Sequence, residues 1–433
     1  MSPSRRDPPS RRIVVPCGSG RHRVRLAGGI RFWRSARCPT CRTAVDPRRS
    51  ARVRAWFGNL RRPASGDVLD RTLWWSSLGY AGAVVLVGLL LWGRGDVWWP
   101  ATALLFGPRW VLALPLALLL PAAGLRDRAL LLPLAGVALL LAGPIVELRT
   151  GWRALITHPD PASDIRVVTY NVQGGNALTS TAVGMAQLWE ADILLFQECG
   201  GALRAEIEAL AGSPSGSPDG SWSGDTRAGL CILSRFPIQG VEEMERTALR
   251  AAGGSGLVTT YRMTVRDRPI HVTNIHLETP RDGFELLRSG QIRRSIPTMR
   301  EKSHLRTIEL AQARRWVDGF SEIPHIVAGD FNTPPESRAY RGAWADWTNA
   351  FSHMGRGYGG TRLNGWIRPR IDHILTDPSW QVVDARVGED LGSDHLPVVA
   401  TVRLLLPIDK AHELDIPRAE AEPVVVARED DVL

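Results

Sequence analysis

Six short polar clusters in this chain stand at the ends of apolar runs: Asn171, Gln197 with Glu198, Asn274 with His276, Asp330 with Asn332, Asp372 with His373, and Ser393 with Asp394 and His395. Carboxylates, amides and imidazoles in such a series are the groups that phosphodiester hydrolysis needs. They supply oxygen ligands for a hard cation, a base for water and polar partners for the leaving oxygen. One such cluster alone is more often a turn former than a catalyst. Six of them, each beside a buried-strand pattern, would converge on one edge of a packed sheet, which is how a rigid scaffold holds a metal site.

A second set of reactive side chains lies near the start. Cys38-Pro-Thr-Cys41 is a CxxC knuckle, Cys17 stands 21 residues upstream, and His22 follows Cys17 by five. Three thiolates and an imidazole complete a tetrahedral structural Zn²⁺ site of the zinc-ribbon kind, although the first knuckle holds a single Cys. Metal would then supply folding energy that apolar burial cannot supply in so polar a segment. The competing reading is a solvated Arg-rich tail drawn to anionic lipid head groups.

The strand-end clusters need strands to carry them. Residues 165–170, 193–196, 229–233, 258–263, 270–275, 325–328, 371–375 and 398–404 are β-branched apolar runs. Residues 179–190 and 304–320 are helical candidates, the second placing Leu305, Ile308, Ala313, Trp316, Val317 and Phe320 mostly on one face. Residues 212–225, rich in Gly, Ser and Pro, predict a surface loop. Strands alternating with helices over this stretch predict an α/β domain.

Taken in order, the set YN, QE, NxH, GDFN, RIDHIL and SDH resembles the endonuclease/exonuclease/phosphatase (DNase I-like) superfamily, in a membrane-anchored bacterial form. The resemblance covers residues 165–405 and includes the phrases GLCILSRFPI, HLETPR and GDFNTPPES. It implies a four-layered α/β sandwich, with two packed mixed sheets flanked by helices and the site at one end. It also implies that Glu198 is the principal carboxylate for Mg²⁺ (or Mn²⁺), with Asn171 a ligand or its partner and Asp394 near the metal. Asp330 would orient or deprotonate the attacking water, and Asn332 would hold the phosphate or Asp330. His395 would contact the phosphoryl group, oriented by Asp372, and His276 would bind a phosphate oxygen or protonate the leaving group. Asn274 and His373 stand between catalytic contact and a satisfied strand-end hydrogen bond, while Thr361, Trp366 and Arg370 are expected at the rim. Cys199, next to Glu198 on a strand, should point away from the metal, and with Cys231 it is expected as a buried free thiol, a disulfide outside the membrane being the alternative.

Length and charge set the frame around this domain. The chain has 433 residues and a net charge of +9. Residues 1–72 carry 18 Arg, no Lys, no Glu and four Asp, a local +14, so the remainder sums to −5. The basic surplus that would invite a nucleic-acid reading is confined to the N-terminal segment. Residues 73–92 and 129–146 are free of charge, and 98–124 contains only Arg109. Each is long enough for a hydrocarbon core of about 30 Å. A central Arg costs ~2.5–3.5 kcal/mol on insertion scales. With Pro108 beside it, the middle stretch is either one span or an interfacial piece, 98–107, followed by a short span, 110–125.

No secretory signal peptide is expected in the first 30 residues. The Arg distribution puts the N-terminus and the Arg126-Asp127-Arg128 turn inside, and three crossings then put the catalytic domain outside the cytoplasmic membrane. The organisation expected is 1–72 an Arg-rich cytoplasmic segment with the zinc knuckle, 73–147 a transmembrane region, 148–164 a linker, 165–405 the catalytic domain and 406–433 a disordered tail. The function expected is a multi-pass, Mg²⁺-dependent phosphoesterase in contact with the lipid bilayer, acting on nucleic acid or phospholipid head groups. The alternative is a catalytically silent membrane sensor or scaffold that binds a phosphorylated ligand. Intact motifs favour the enzyme. Arg281, Arg288, Arg293, Arg294, Arg300, Arg306, Arg314 and Arg315 would line a cleft or form a solvated helix face.

Overall fold

The structure, a computed structural model, describes residues 67–175, 178–211, 222–363, 365 and 367–405, together with the backbone of an antiparallel strand pair, Ile13–Pro16 and Arg23–Leu26. The zinc ligands expected at Cys17, His22, Cys38 and Cys41, the tail 406–433 and Trp366 lie outside the described residues. The chain divides into two units, residues 1–82 with 114–138, and residues 83–113 with 139–433.

Three helical stretches are long and apolar enough to cross a membrane: Val68–Arg94, Arg109–Arg126 and Arg128–Ile145. The shorter two have 18 residues, which at 1.5 Å each is about 27 Å. The continuous stretch 98–124 is broken. A separate short helix, Trp99–Phe106, begins with Pro100 in its first turn and ends at Gly107, and a 3₁₀ turn at Arg109–Ala113 starts the next. In the first unit, Arg126 joins Asp67 and Asp70 at 3.2 and 2.8 Å, an exposed cluster at the helix ends.

The second unit contains the α/β sandwich. Its strands are β1 (Asp164–Asn171), β2 (Ile193–Gln197), β3 (Ser223–Arg227), β4 (Leu230–Ser234), β5 (Ile238–Glu243), β6 (Leu257–Val265), β7 (Arg268–His276), β8 (His325–Asp330), β9 (Thr348–Asn349), β10 (Asp372–Thr376), β11 (Trp380–Val387) and β12 (Val398–Leu404). One sheet has the order β11-β12-β1-β2-β4-β3 and the other β9-β10-β8-β7-β6-β5. Only β1/β2 and β7/β8 run parallel among these pairs.

Alternation along the strands builds two kinds of core. Ile165, Val167, Ile193 and Leu195 from one sheet meet Tyr261, Val272, Ile326 and Ile374 from the other between the sheets. The opposite faces bury Val168, Tyr170 and Leu194 under helices Ala182–Leu188 and Gly201–Ala211, and Ile275, Val327 and Leu375 under helices Ile292–Asp318 and Arg338–Trp344. Period-two alternation thus gives each strand two buried faces, and the sheet pair becomes four layers.

Several expectations are corrected in this unit. β3 begins inside the loop expected over 212–225, and the helix expected at 304–320 starts at Ile292 and accommodates Pro297. Cys199 and Cys231 are not free thiols but a disulfide. Phe196 of β2 pairs with Cys231 of β4, and the Cys199 N–H bonds Gly229 O at 2.8 Å, which brings the two Cα atoms to 5.9 Å. Of the Arg series, Arg306 is buried over the Phe106 ring and Arg314 is tied to Asp318 and Asp346, whereas Arg281, Arg288, Arg293, Arg294, Arg300 and Arg315 are exposed. Within the stretch expected as linker, Arg149–Thr150 pairs with Arg356–Gly357.

Candidate active site

Strand register assembles the site. In the parallel pair β7/β8, His276 lies beside Asp330, and in the antiparallel pair β8/β10, Asp330 lies beside Asp372. In the other sheet Asn171 lies beside Gln197, the residue before Glu198. The final residues of β1, β2, β7 and β8 and the first of β10 therefore share one end of the sandwich. Gly329 is required at its position, because a Cβ there would sit 1.9 Å from Ile275 O.

The central connection is the Asn171 amide. Its Nδ2 donates to Glu198 Oε1 at 3.0 Å and to Asp330 Oδ2 at 3.0 Å, while its Oδ1 accepts from the Gln173 N–H at 3.1 Å. Asn171 thus holds two carboxylates together from opposite sheets. His276 Nε2 lies 3.7 Å from each of the same two oxygens. Glu198 adopts φ = 50°, a left-handed backbone uncommon for this residue type. Its Cys199 neighbour, held in the disulfide, fixes the chain just past that turn.

Asp330 is buried, and its Oδ1 accepts the Asn332 N–H at 2.8 Å. Burial first, then the Asp372 carboxylate, raises the Asp330 carboxyl above its ordinary range. The Asn332 side chain donates to Leu277 O at 2.8 Å, so the residue braces the loop after β8 with backbone and side chain alike. His395 Nδ1 faces both Asp372 oxygens, at 2.9 and 3.1 Å, and its Nε2 lies 3.8 Å from Asp330 Oδ2. Burial alone would lower the imidazole, but the charges of Asp372 and then Asp330 outweigh it, and its pKa is raised. Asp372 is fixed in turn by Thr361, whose hydroxyl accepts the Ile371 and Asp372 N–H groups at 3.1 and 3.2 Å.

Other expected positions have structural partners. Asn274 bridges the sheets, accepting from Gln197 Nε2 at 2.7 Å and donating to Phe196 O and Cys231 O. His373 bonds Thr333 O through Nε2, and burial, with Arg370, lowers its pKa to about 4. Arg370 is buried against Glu147 and Ser352 rather than standing at the rim. Asp394 pairs through Oδ2 with Arg362, and its Oδ1 is buried without a hydrogen bond among the described residues. Arg362 also donates to His395 Nε2 at 2.6 Å. No motif spacing pointed to Arg362, and only its place between two clusters could have drawn attention to it.

The donor set fits a divalent cation. Glu198 and Asp330 bring two carboxylates to one amide, and among the described residues neither is paired with Lys or Arg. The Glu198 side chain is 34% exposed, which leaves room for the waters that a hard cation retains. Asp330, Asp372 and His395 also place one donor each within 4.8 Å of one another. There, however, His395 is already engaged by Asp372 and Arg362.

Residues 168–395, more than half of the chain, match the model of the Endonuclease/Exonuclease/phosphatase family. The chain belongs to this family. A search of the curated proteins finds no sequence match. Among solved structures, D. rerio TDP2 humanized by 14 mutations is 17% identical, covering 55% of this chain and 99% of its own, with a TM-score of 0.43. A family protein from Bacteroides thetaiotaomicron is 15% identical over 56% of this chain and 99% of its own, with a TM-score of 0.40. An endonuclease/exonuclease/phosphatase from Beutenbergia cavernae is 19% identical over 56% and 72%, with a TM-score of 0.39. In this endonuclease/exonuclease/phosphatase chain the ordered motif residues meet at one end of a four-layered sandwich, with the Asn171 bridge at their centre.

Proposed function

We propose that the protein is a membrane-anchored phosphodiester hydrolase dependent on Mg²⁺ or Mn²⁺, with its site outside the cytoplasmic membrane. The observation that carries the reading is the pair of carboxylates, Glu198 and Asp330, held 3.0 Å from one amide with no Lys or Arg partner among the described residues, beside a His–Asp pair. Glu198, with Asp330 beside it, would hold the cation, and polarisation of the phosphoryl oxygens is the chemistry it would supply there. Asp330, raised by burial, orients the attacking water and draws off its proton. His395, held in one tautomer by Asp372, contacts the phosphoryl group. His276 faces the leaving oxygen, and Asn171 and Asn332 keep Asp330 in place.

Four observations support the placement. Glu147, just past the third apolar helix, is tied to Arg370 and Ser352. The connection between the first two apolar helices packs on the same unit, where Asp96 caps helix Arg338–Trp344 through Ser337 and Ala339, and Arg109 pairs with Glu336 at 2.8 Å. These contacts support both connections lying on one face, as three crossings require. The Cys199–Cys231 disulfide suits an oxidising compartment, and the Arg-rich N-terminus suits the inner face.

A domain held this close to its anchor meets lipid head groups at high local concentration. That, with the −5 balance after residue 72, favours a phospholipid substrate over a polynucleotide. The test is hydrolysis by the detergent-solubilised full chain of bis-p-nitrophenyl phosphate, sphingomyelin, phosphatidylinositol phosphates and plasmid DNA, with and without Mg²⁺. Metal-dependent release of a phosphorylated head group is expected. Cleavage of DNA alone would replace the lipid substrate, and binding without turnover in every arm would leave a phosphoryl-ligand receptor.

A further inference from the structure

A loop between β9 and β10 folds over His395. Arg362 forms an isolated antiparallel bridge with His395, its N–H bonds Pro369 O at 3.1 Å, and the next N–H, of Leu363, bonds Asp394 O at 2.7 Å. The backbone of Arg362 is therefore registered against the Asp394-His395 segment. Its guanidinium is divided between two partners: Nη2 meets Asp394 Oδ2 at 2.5 Å, and Nη1 donates to His395 Nε2 at 2.6 Å. The side chain is 19% exposed.

A salt bridge that merely fastened the loop would need Asp394 alone. The second bond places a permanent cation against the one imidazole nitrogen that faces Asp330, with the other engaged by Asp372. The guanidinium and this imidazole nitrogen thus stand side by side, 2.6 Å apart, at the edge of the carboxylate pair. A phosphoryl group satisfies both, since a guanidinium presents parallel N–H donors suited to phosphate oxygens. Among the described residues no other Lys or Arg pairs with Asp330, Asp372 or His395, and Arg281 reaches only Asp394, at 3.9 Å.

We propose that Arg362 is a phosphate-binding residue of this site: Nη1 moves from His395 to a non-bridging oxygen of the scissile phosphate while Asp394 retains Nη2. Asp394 is then a positioning residue for Arg362 rather than an oxygen ligand of the cation. The inference rests on the reading of the site as a phosphoesterase and adds to it the group that holds the substrate's charge.

The experiment uses the full chain in detergent with R362M, R362K and D394N. One readout needs no turnover: the rise in unfolding temperature that inorganic phosphate produces with Mg²⁺ present. The other is kcat and KM for bis-p-nitrophenyl phosphate. R362M should abolish the phosphate-dependent rise and lower kcat/KM by roughly 10²-fold, the scale for loss of one charge-stabilising donor. The metal concentration for half-maximal rate should stay unchanged. R362K should fall between R362M and the parent, and D394N should weaken phosphate binding by several-fold through a less ordered guanidinium. If R362M is too unstable to measure, R362K against the parent carries the comparison.

Parental phosphate stabilisation and kcat/KM in R362M, or in R362K where R362M fails, would overturn the proposal while leaving the hydrolase reading standing. If the parent turns nothing over yet phosphate stabilises it and not R362M, the hydrolase reading falls and the anion site remains. A parent that neither hydrolyses nor responds to phosphate overturns both.

Discussion

Replacing Arg109 by Met should destabilise the protein by about 3–5 kcal/mol, the cost of breaking a buried ion pair from one side. The structure supports the upper part of that range. The Arg109 side chain is 1% exposed and that of Glu336 5%, the pair is 2.8 Å apart, and Arg109 also donates to Ile145 O at 2.8 Å. Burial first pushes the Glu336 carboxyl up, and Arg109 opposes that rise. Without Arg109 the stranded carboxylate would pick up a proton more readily. A carboxyl raised in the folded state penalises folding above that raised pKa, so the R109M deficit should shrink as pH falls. The double variant R109M/E336M exchanges the pair for apolar groups and should recover most of the loss, since such exchanges are often neutral. The assay is urea unfolding of the detergent-solubilised full chain, followed by Trp fluorescence. R109M within about 0.5 kcal/mol of the parent, or a double variant as unstable as the two single losses added together, would refute a buried pair.

Four other outcomes are expected. D330A and H395A should each lower kcat by roughly 10²–10⁴-fold, with losses less than additive because both act on one transition state; full activity in D330A removes the assignment. E198Q should raise the metal concentration for half-maximal rate, measured by Mg²⁺ titration, and an unchanged titration would move the cation elsewhere. The Cys199–Cys231 bridge spans 32 residues, for which loop entropy gives roughly 3–4 kcal/mol; the C199S/C231S variant should lose about that in urea unfolding, and equal stability would deny the bridge. His271 and His373 are held neutral, each with a pKa of about 4, chiefly by burial. The unfolded chain binds their protons near pH 6.5, so their contribution is complete above that pH and falls as pH drops toward 4. At pH 5 each should cost about 2 kcal/mol relative to pH 8, and matching urea midpoints at the two pH values would contradict this.

The parts legible in the sequence were those fixed by local pattern. Continuous β-branched apolar runs located the eight strands that form the middle of the sandwich, and polar residues at their ends marked the site, because strand register carries Asn171, His276, Asp330 and Asp372 to one edge. The four edge strands β3, β5, β9 and β11 escaped notice: Ser223–Arg227 has no apolar run, Thr348–Asn349 is two residues long, Ile238–Glu243 has only exposed and half-buried positions, and Trp380–Val387 mixes exposed with buried ones. The helix expected at 304–320 missed the first twelve residues of Ile292–Asp318, among them Pro297, whose missing N–H costs one ladder bond while the packed face after it carries the helix regardless. Arg362 was beyond local pattern altogether, since it is defined by partners on other elements.

Arg109 shows the same limit from the other side. Read along the chain, it is a charge that weakens an apolar span, and insertion cost is the only physics available. In the folded protein its guanidinium meets Glu336, six residues past Asp330 in the loop that also holds Asn332, while Asp96 caps the helix leaving that loop. The charge just past the break at Gly107–Pro108 is thus the charge that anchors the apolar stretch to the loop after β8. An Arg inside an apolar stretch has two energetic readings, penalty or anchor, and only a partner distant in sequence decides between them.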